Sequence, residues 1–376
     1  YRWYPALDLA RIPFHAADGP WGARAPITAP EAPRTTRSVT VTSAAELSAE
    51  GIVAGTEITI GASFADQAVL LGDVIDVDIV VPPGVSTGSI LVGRYTPEST
   101  TTRVRLRGPT PGVHSGGRVG SIGFMSSTTT DVIVDGLDMN GEDGRGGGLL
   151  WQFAFPVERA AIVNVRGHAS GAASLGEGRD IVYAGNAIMS GARPREVNGY
   201  PEGWEHRAGS HLVVFRSDIR GTRYHRVRVH PDPSRAPQHL WVDGNVLVDP
   251  HEARILDSFD LEGMGRDFAS VWATCNRVHA HSTCITPSFA ATDASYARLT
   301  DNAIHGAFTL ETMRDGAMRD GPMHDYTTGN TYGPWEEPPP WGGPGDPTTV
   351  PLPPVDASRF DASLADPFGP CPGPGG

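Results

Sequence analysis

The stretches DIVYAGNAIMSG (180–191), HLVVFRSDIRG (211–221), HLWVDGNVLVD (239–249), ASVWATCNRVHA (269–280) and ARLTDNAIHG (297–306) are versions of one pattern. Each holds a short run rich in Val, Ile and Leu, then Asn or Ser, then a second short apolar run. A worn sixth copy, DYTTGN, ends at Asn330. The marker falls at Asn186, Ser217, Asn245, Asn276, Asn302 and Asn330, at intervals of 31, 28, 31, 26 and 28 residues. Repeats of this size signal stacked units, none of which buries its apolar face alone. The uneven spacing excludes a rigid short-period solenoid and predicts coils of fixed cross-section with loops of different length. DVIVDGLDMNG (131–141) and AIVNVRG (161–167) extend the series upstream.

A third run follows in several copies: YHRVRVH (224–230), ARILDSF (253–259), STCIT (282–286) and AFTLET (307–312). Three strands per coil predict an all-β chain, a right-handed parallel β-helix. Asn stands at a sharp bend, where its side chain tolerates the left-handed region, and the stacked asparagines hydrogen-bond from coil to coil. SAAELSAE (43–50) carries the N-cap signature of a short helix opening the fold. Three segments follow: an extended arm over 1–37, the β-helix over 38–333, and a Pro/Gly-rich tail over 334–376 with 13 Pro and 7 Gly. The arm's first 35 residues contain six prolines, with aromatic anchors at Trp3, Tyr4 and Trp21.

Over 38–332 this pattern resembles the pectin-lyase-like superfamily of right-handed β-helices. The opening SVTVTSAAELSAEGIVAGTEITIG (38–61) is similar to the first coil of many such proteins, where a short helix caps the open end of the core. The resemblance implies a fold. It leaves function open, because the superfamily includes polysaccharide lyases, glycoside hydrolases, uronate epimerases, phage tailspikes and non-catalytic adhesins.

Composition narrows the partners. The chain has 376 residues, 46 Gly, 33 Pro and 19% charged residues, and its formal charge is −13. That acidity opposes binding to nucleic acid or to an anionic membrane surface. No lysine occurs, so all 30 cations are arginine, and a Schiff base, a P-loop lysine and a lysine general base are excluded. No run of about 18 apolar residues occurs, so no membrane insertion is expected. A chain starting at Tyr1 reads as numbered after removal of an export signal, and a Cys275–Cys284 disulfide would suit an extracellular or cell-surface protein.

The candidate chemistry lies in TRYHRVRVHPD (222–232). Val227 and Val229 alternate and are expected to face the core, which places Tyr224, Arg226, Arg228 and His230 on the opposite face. Two guanidiniums can hold a uronate carboxylate and acidify the C5 proton, while Tyr224 or His230 exchanges it. This is the combination that lyases and C5-epimerases of acidic polysaccharides need. Arg195 and Trp204 in the preceding loops, and Asp257 in the next coil, are further substrate-binding candidates. No cofactor is required, although Asp257, Asp260 and Glu262 could supply oxygen ligands to Ca2+.

Complete family motifs are missing. DPHE (249–252) resembles the Asp-Pro-His-Asp motif of alginate C5-epimerases, with Glu252 in place of the second Asp. Val242-Asp243 is similar to the Trp-Ile-Asp-His strand of pectate lyases, but Gly244 stands where that motif has His. The bland reading of the arginine row is a solvated surface strand. A non-catalytic structural or adhesive protein, assembling into a homo-oligomer through its terminal arms, is the other function class.

Overall fold

The computed structural model describes residues 27–140, 151–168, 174–176, 178–190, 205–206, 211–221, 228–229, 238–248, 268–285, 296–310 and 331–333. These residues are mostly strand, in three long sheets with every pairing parallel. Sheet A holds 11 strands from Arg37–Val41 to Tyr296–Thr300, sheet B ten from Ser86–Thr87 to Thr331–Gly333, and sheet C seven from Val69–Leu71 to Arg228–Val229.

The chain visits the sheets in turn. Thr128–Asp135 lies in sheet A, Asp138–Asn140 in sheet B and Trp151–Phe153 in sheet C; Val157–Val163 then returns to sheet A beside Thr128–Asp135. Each such circuit adds a strand to every sheet, an arrangement consistent with a parallel β-helix. Side chains alternate along each strand, so Val132 and Val134 join an interior cluster that continues through Ala160, Ile162, Ile181, Tyr183, Leu212 and Val214. The register pairs apolar with apolar: Val104, Val132, Ala160, Ile181 and Leu212 stack on successive circuits.

The short helix forms where it was expected, over Ala44–Glu50. Ser43 caps it by accepting from the Glu46 N–H at 3.2 Å, and Leu47 is fully buried in the interior cluster. The helix packs against Thr56–Ile60 and Val69–Leu71, the first strands after it.

The marker residues stand in single file. Asn186, Ser217, Asn245, Asn276 and Asn302 are buried where the chain passes from sheet A to sheet B. The Ser217 N–H donates to Asn245 Oδ1 at 2.8 Å, Asn245 Nδ2 to Asn276 Oδ1 at 3.0 Å, and Asn276 Nδ2 to Asn302 Oδ1 at 3.0 Å. Each amide also ties the file to the strand of the circuit before: Asn245 Nδ2 donates to the Val214 carbonyl and Asn276 Nδ2 to that of Val242, both at 3.0 Å.

The backbone corrects one detail. The left-handed residue is not the asparagine but its predecessor: Gly136, Asn164, Gly185, Arg216, Gly244, Cys275 and Asp301 have φ between 44° and 71°. One left-handed residue turns the chain outward, and the next returns a side chain to the interior. On earlier circuits that inward residue is Leu137 or Val165, which need no amide partner.

One other expectation changes. STCIT and AFTLET are not separate strands but the ends of Arg277–Ile285 and Ala303–Leu310, which pair with each other in sheet B across a register shift between His279 and Ser282. Cys275 is disulfide-bonded.

Replacing Asn245 with Ala should leave the Ser217 N–H and the Val214 carbonyl without partners. Chemical denaturation should then show a loss of about 2–4 kcal/mol.

Candidate functional site

Of the predicted catalytic row, Arg228 lies among the described residues, in the sheet C strand Arg228–Val229. Tyr224, Arg226, His230, Arg195, Trp204, Asp257, Asp260 and Glu262 lie outside them. The register places Arg228 in one row with Leu70, Leu91, Gly123, Gln152, Leu175 and Glu205. At the start of this row Leu70 is 62% exposed, while its neighbours Val69 and Leu71 are buried in the interior. Strand alternation therefore puts Leu70 on the outer side of sheet C, and Arg228 holds the corresponding register position on the last strand of that sheet. Glu205 is its partner on the adjacent strand, a residue sequence reading passed over.

The same alternating signature occurs earlier, in TTTRVRLR (100–107), where the side chains are described. Arg103, Arg105 and Arg107 point out of sheet A, and carboxylates of an earlier circuit receive all three. Arg103 grips Asp76 through two bonds of 2.6 and 2.8 Å, and Arg105 grips Asp78 at 3.0 and 2.5 Å. Arg107 reaches Asp78 at 3.1 Å, Glu57 at 3.2 Å and the carbonyls of Gly108 and Pro109. These fork-shaped pairs are charge-assisted and strongly directional. They hold neighbouring circuits in register rather than a ligand.

Asp76 and Arg103 belong to a longer column. Asp76, Arg103, Asp131, Arg159 and Asp180 occupy one position on successive circuits, and all five are left-handed, with φ from 50° to 59°. The column thus alternates in charge, and Arg159 repeats the two-pronged bond on Asp131 at 2.6 and 2.8 Å. The Arg103 bond holds the Asp76 carboxyl below its ordinary range. Burial pushes Asp131 up, but the Arg159 and Glu31 bonds outweigh it and leave that carboxyl lowered too. Residues 27–36 of the arm climb this column. The Thr36 N–H donates to the Gly55 carbonyl at 2.7 Å, the Arg34 N–H to Asp76 at 2.9 Å, and the Glu31 N–H to Asp131 at 3.0 Å.

A proton-active corner lies where the loop 108–117 folds over the bend after Thr128–Asp135. Asp135 is buried and accepts from the Gly112 N–H at 2.6 Å and Asn164 Nδ2 at 3.0 Å. Burial pushes its pKa up to about 6, although both bonds and the nearby Arg105 and Arg107 pull the other way. His114 Nε2 meets Asp138 Oδ1 at 2.9 Å on the half-buried rim of the same loop. Gly136, at the bend, has no room for a side chain, because a Cβ would stand 2.3 Å from the Val113 carbonyl oxygen. An imidazole and a carboxylate in contact can pass a proton, but Asp135 is closed to solvent and serves as a clasp on the loop.

Among the described residues no group of three or more His, Cys, Asp and Glu side chains is arranged to hold a metal ion. No described helix is long and apolar enough to cross a membrane. No family model, no curated protein and no solved structure matches this chain.

The clasp has a defined pH dependence. The native Asp135 carboxyl binds its proton more tightly than the unfolded one, so the fold loses stability as pH rises from about 4 through 6. Asp135→Asn removes that slope, and denaturation curves should show the variant gaining about 3 kcal/mol on the parent between those limits. Asp76 and Asp131 have the opposite sign: their contribution is present above the unfolded carboxylate value and lost on acidification. Asp131→Ala should therefore free the arm at neutral pH, read as several-fold faster proteolytic cleavage within residues 27–36.

Proposed function

We propose that this chain is a secreted, right-handed parallel β-helix of the pectin-lyase-like kind, with three strands per coil and the helix Ala44–Glu50 as its cap. It acts on an acidic polysaccharide laid along the outer face of sheet C, by proton abstraction of the lyase or C5-epimerase type. The observation that carries this reading is the register of Arg228 in the sheet C row that begins at the exposed Leu70. Glu205 holds the paired position one strand away. In this mechanism Arg226 and Arg228 neutralise the uronate carboxylate, and Tyr224 or His230 exchanges the C5 proton. Arg195, Trp204 and Asp257 line the groove, and Ca2+ held by Asp257, Asp260 and Glu262 is an optional second clamp.

The docked arm supports the second reading, an extracellular structural or adhesive protein that assembles through its termini. Backbone N–H groups of residues 31 and 34 are committed to the charged column, so part of the arm is already a binding element.

The two readings separate on a panel of polyuronates. The first expects unsaturated products or C5 inversion from at least one polymer, with Arg228→Ala lowering the rate at least about 100-fold. Wild-type protein that neither turns over nor binds any polyuronate would sink it.

A further inference from the structure

The outer face of sheet A changes character along the stack. On the first circuits its outward rows carry Glu57, Asp78, Arg105 and Arg107. From Ile133 onward the row continues as Ala161, Val182, Val213 and Trp241, and the next outward row as Val163, Ala184 and Phe215. All eight side chains have 0% exposure, and none belongs to the interior cluster, which takes the alternate positions. Phe215 and Trp241 stack on each other with ring centres 5.4 Å apart. An apolar sheet face this dry has a cover.

The described part of the arm leads to it. From Thr36 at Gly55 the chain, read backwards, passes Asp76 and Asp131 and arrives at Ile27, which is 4% exposed. It therefore enters the stack at the level where the outer face turns apolar. The 26 residues before it, YRWYPALDLARIPFHAADGPWGARAP, carry Trp3, Tyr4, Leu7, Leu9, Ile12, Phe14 and Trp21. From the Ile133 strand to the Trp241 strand is four steps of about 4.8 Å. An extended segment of that length spans roughly 85 Å, ample to cross the face and double back. Its four prolines have no N–H to leave unsatisfied where it lies against side chains.

We propose that residues 1–26 are the cover: this face of sheet A is a docking surface for the chain's own N-terminal arm, which the Asp76–Asp131 column guides into place. The face is then closed to carbohydrate, and any polysaccharide groove must lie elsewhere. The test uses the full chain with Trp21 replaced by photoreactive p-benzoylphenylalanine, prepared as a mixture of isotope-labelled and unlabelled protein. After irradiation, peptide mapping should find adducts within one chain, to the sheet A strands between Val157 and Asp243. Adducts to the tail 334–376 or to another sheet, adducts only between chains, or none at all, would overturn the proposal. In addition, deleting residues 1–26 should raise binding of an apolar dye several-fold, whereas deleting 334–376 should leave it unchanged. The reverse pattern would assign the cover to the tail.

Discussion

One backbone constraint organises the described structure: a single left-handed residue recurs at the same place on successive circuits. Left-handed backbone costs an ordinary residue roughly 1–2 kcal/mol, so it persists only where the surroundings demand it. Here the demand comes from the parallel register, which stacks every circuit on the last and forces each to bend at the same point. At the bend between sheets A and B, Gly136, Gly185 and Gly244 meet that demand without a Cβ, and Asn164, Arg216, Cys275 and Asp301 meet it with one. The residue after the bend then falls inward, which is why its identity forms a file of buried amides.

The second left-handed column, inside the strands of sheet A, has a different origin. Asp and Arg alternate there, and their paired bonds join circuits two by two. Such pairs are partly exposed, and isolated exposed ion pairs contribute little. What distinguishes these is the fork geometry and the third partner, since Asp76 and Asp131 also accept backbone N–H groups of the arm. Circuit stacking, charge alternation and arm docking are thus one arrangement, and loss of either carboxylate affects all three.

The alternating arginine pattern shows what a sequence signature can and cannot carry. RVRLR (103–107) and RVRV (226–229) look alike, and strand periodicity correctly directs Arg105 outward. What meets them depends on the adjacent circuit: Asp78 beside Arg105, Glu205 beside Arg228. Those partners lie 27 and 23 residues upstream, at distances fixed by loop lengths that no local pattern encodes. Hence the outward direction of Arg105 was legible, while its pairing was not.

The repeat at Asn186, Ser217, Asn245, Asn276 and Asn302 by itself determined that the chain would stack strands in parallel sheets. Buried amides tolerate only a neighbour that completes their hydrogen bonds, so a recurring Asn reports a recurring position. The left-handed predecessor was also written there, as the Gly of AGN and DGN. Only the tertiary structure decided that the runs after His279 and His305 continue the strands before them, and that an apolar face outside the core is shielded from water. Each of these depends on register and on contacts between residues far apart in the chain, which exist only once the circuits have closed on one another.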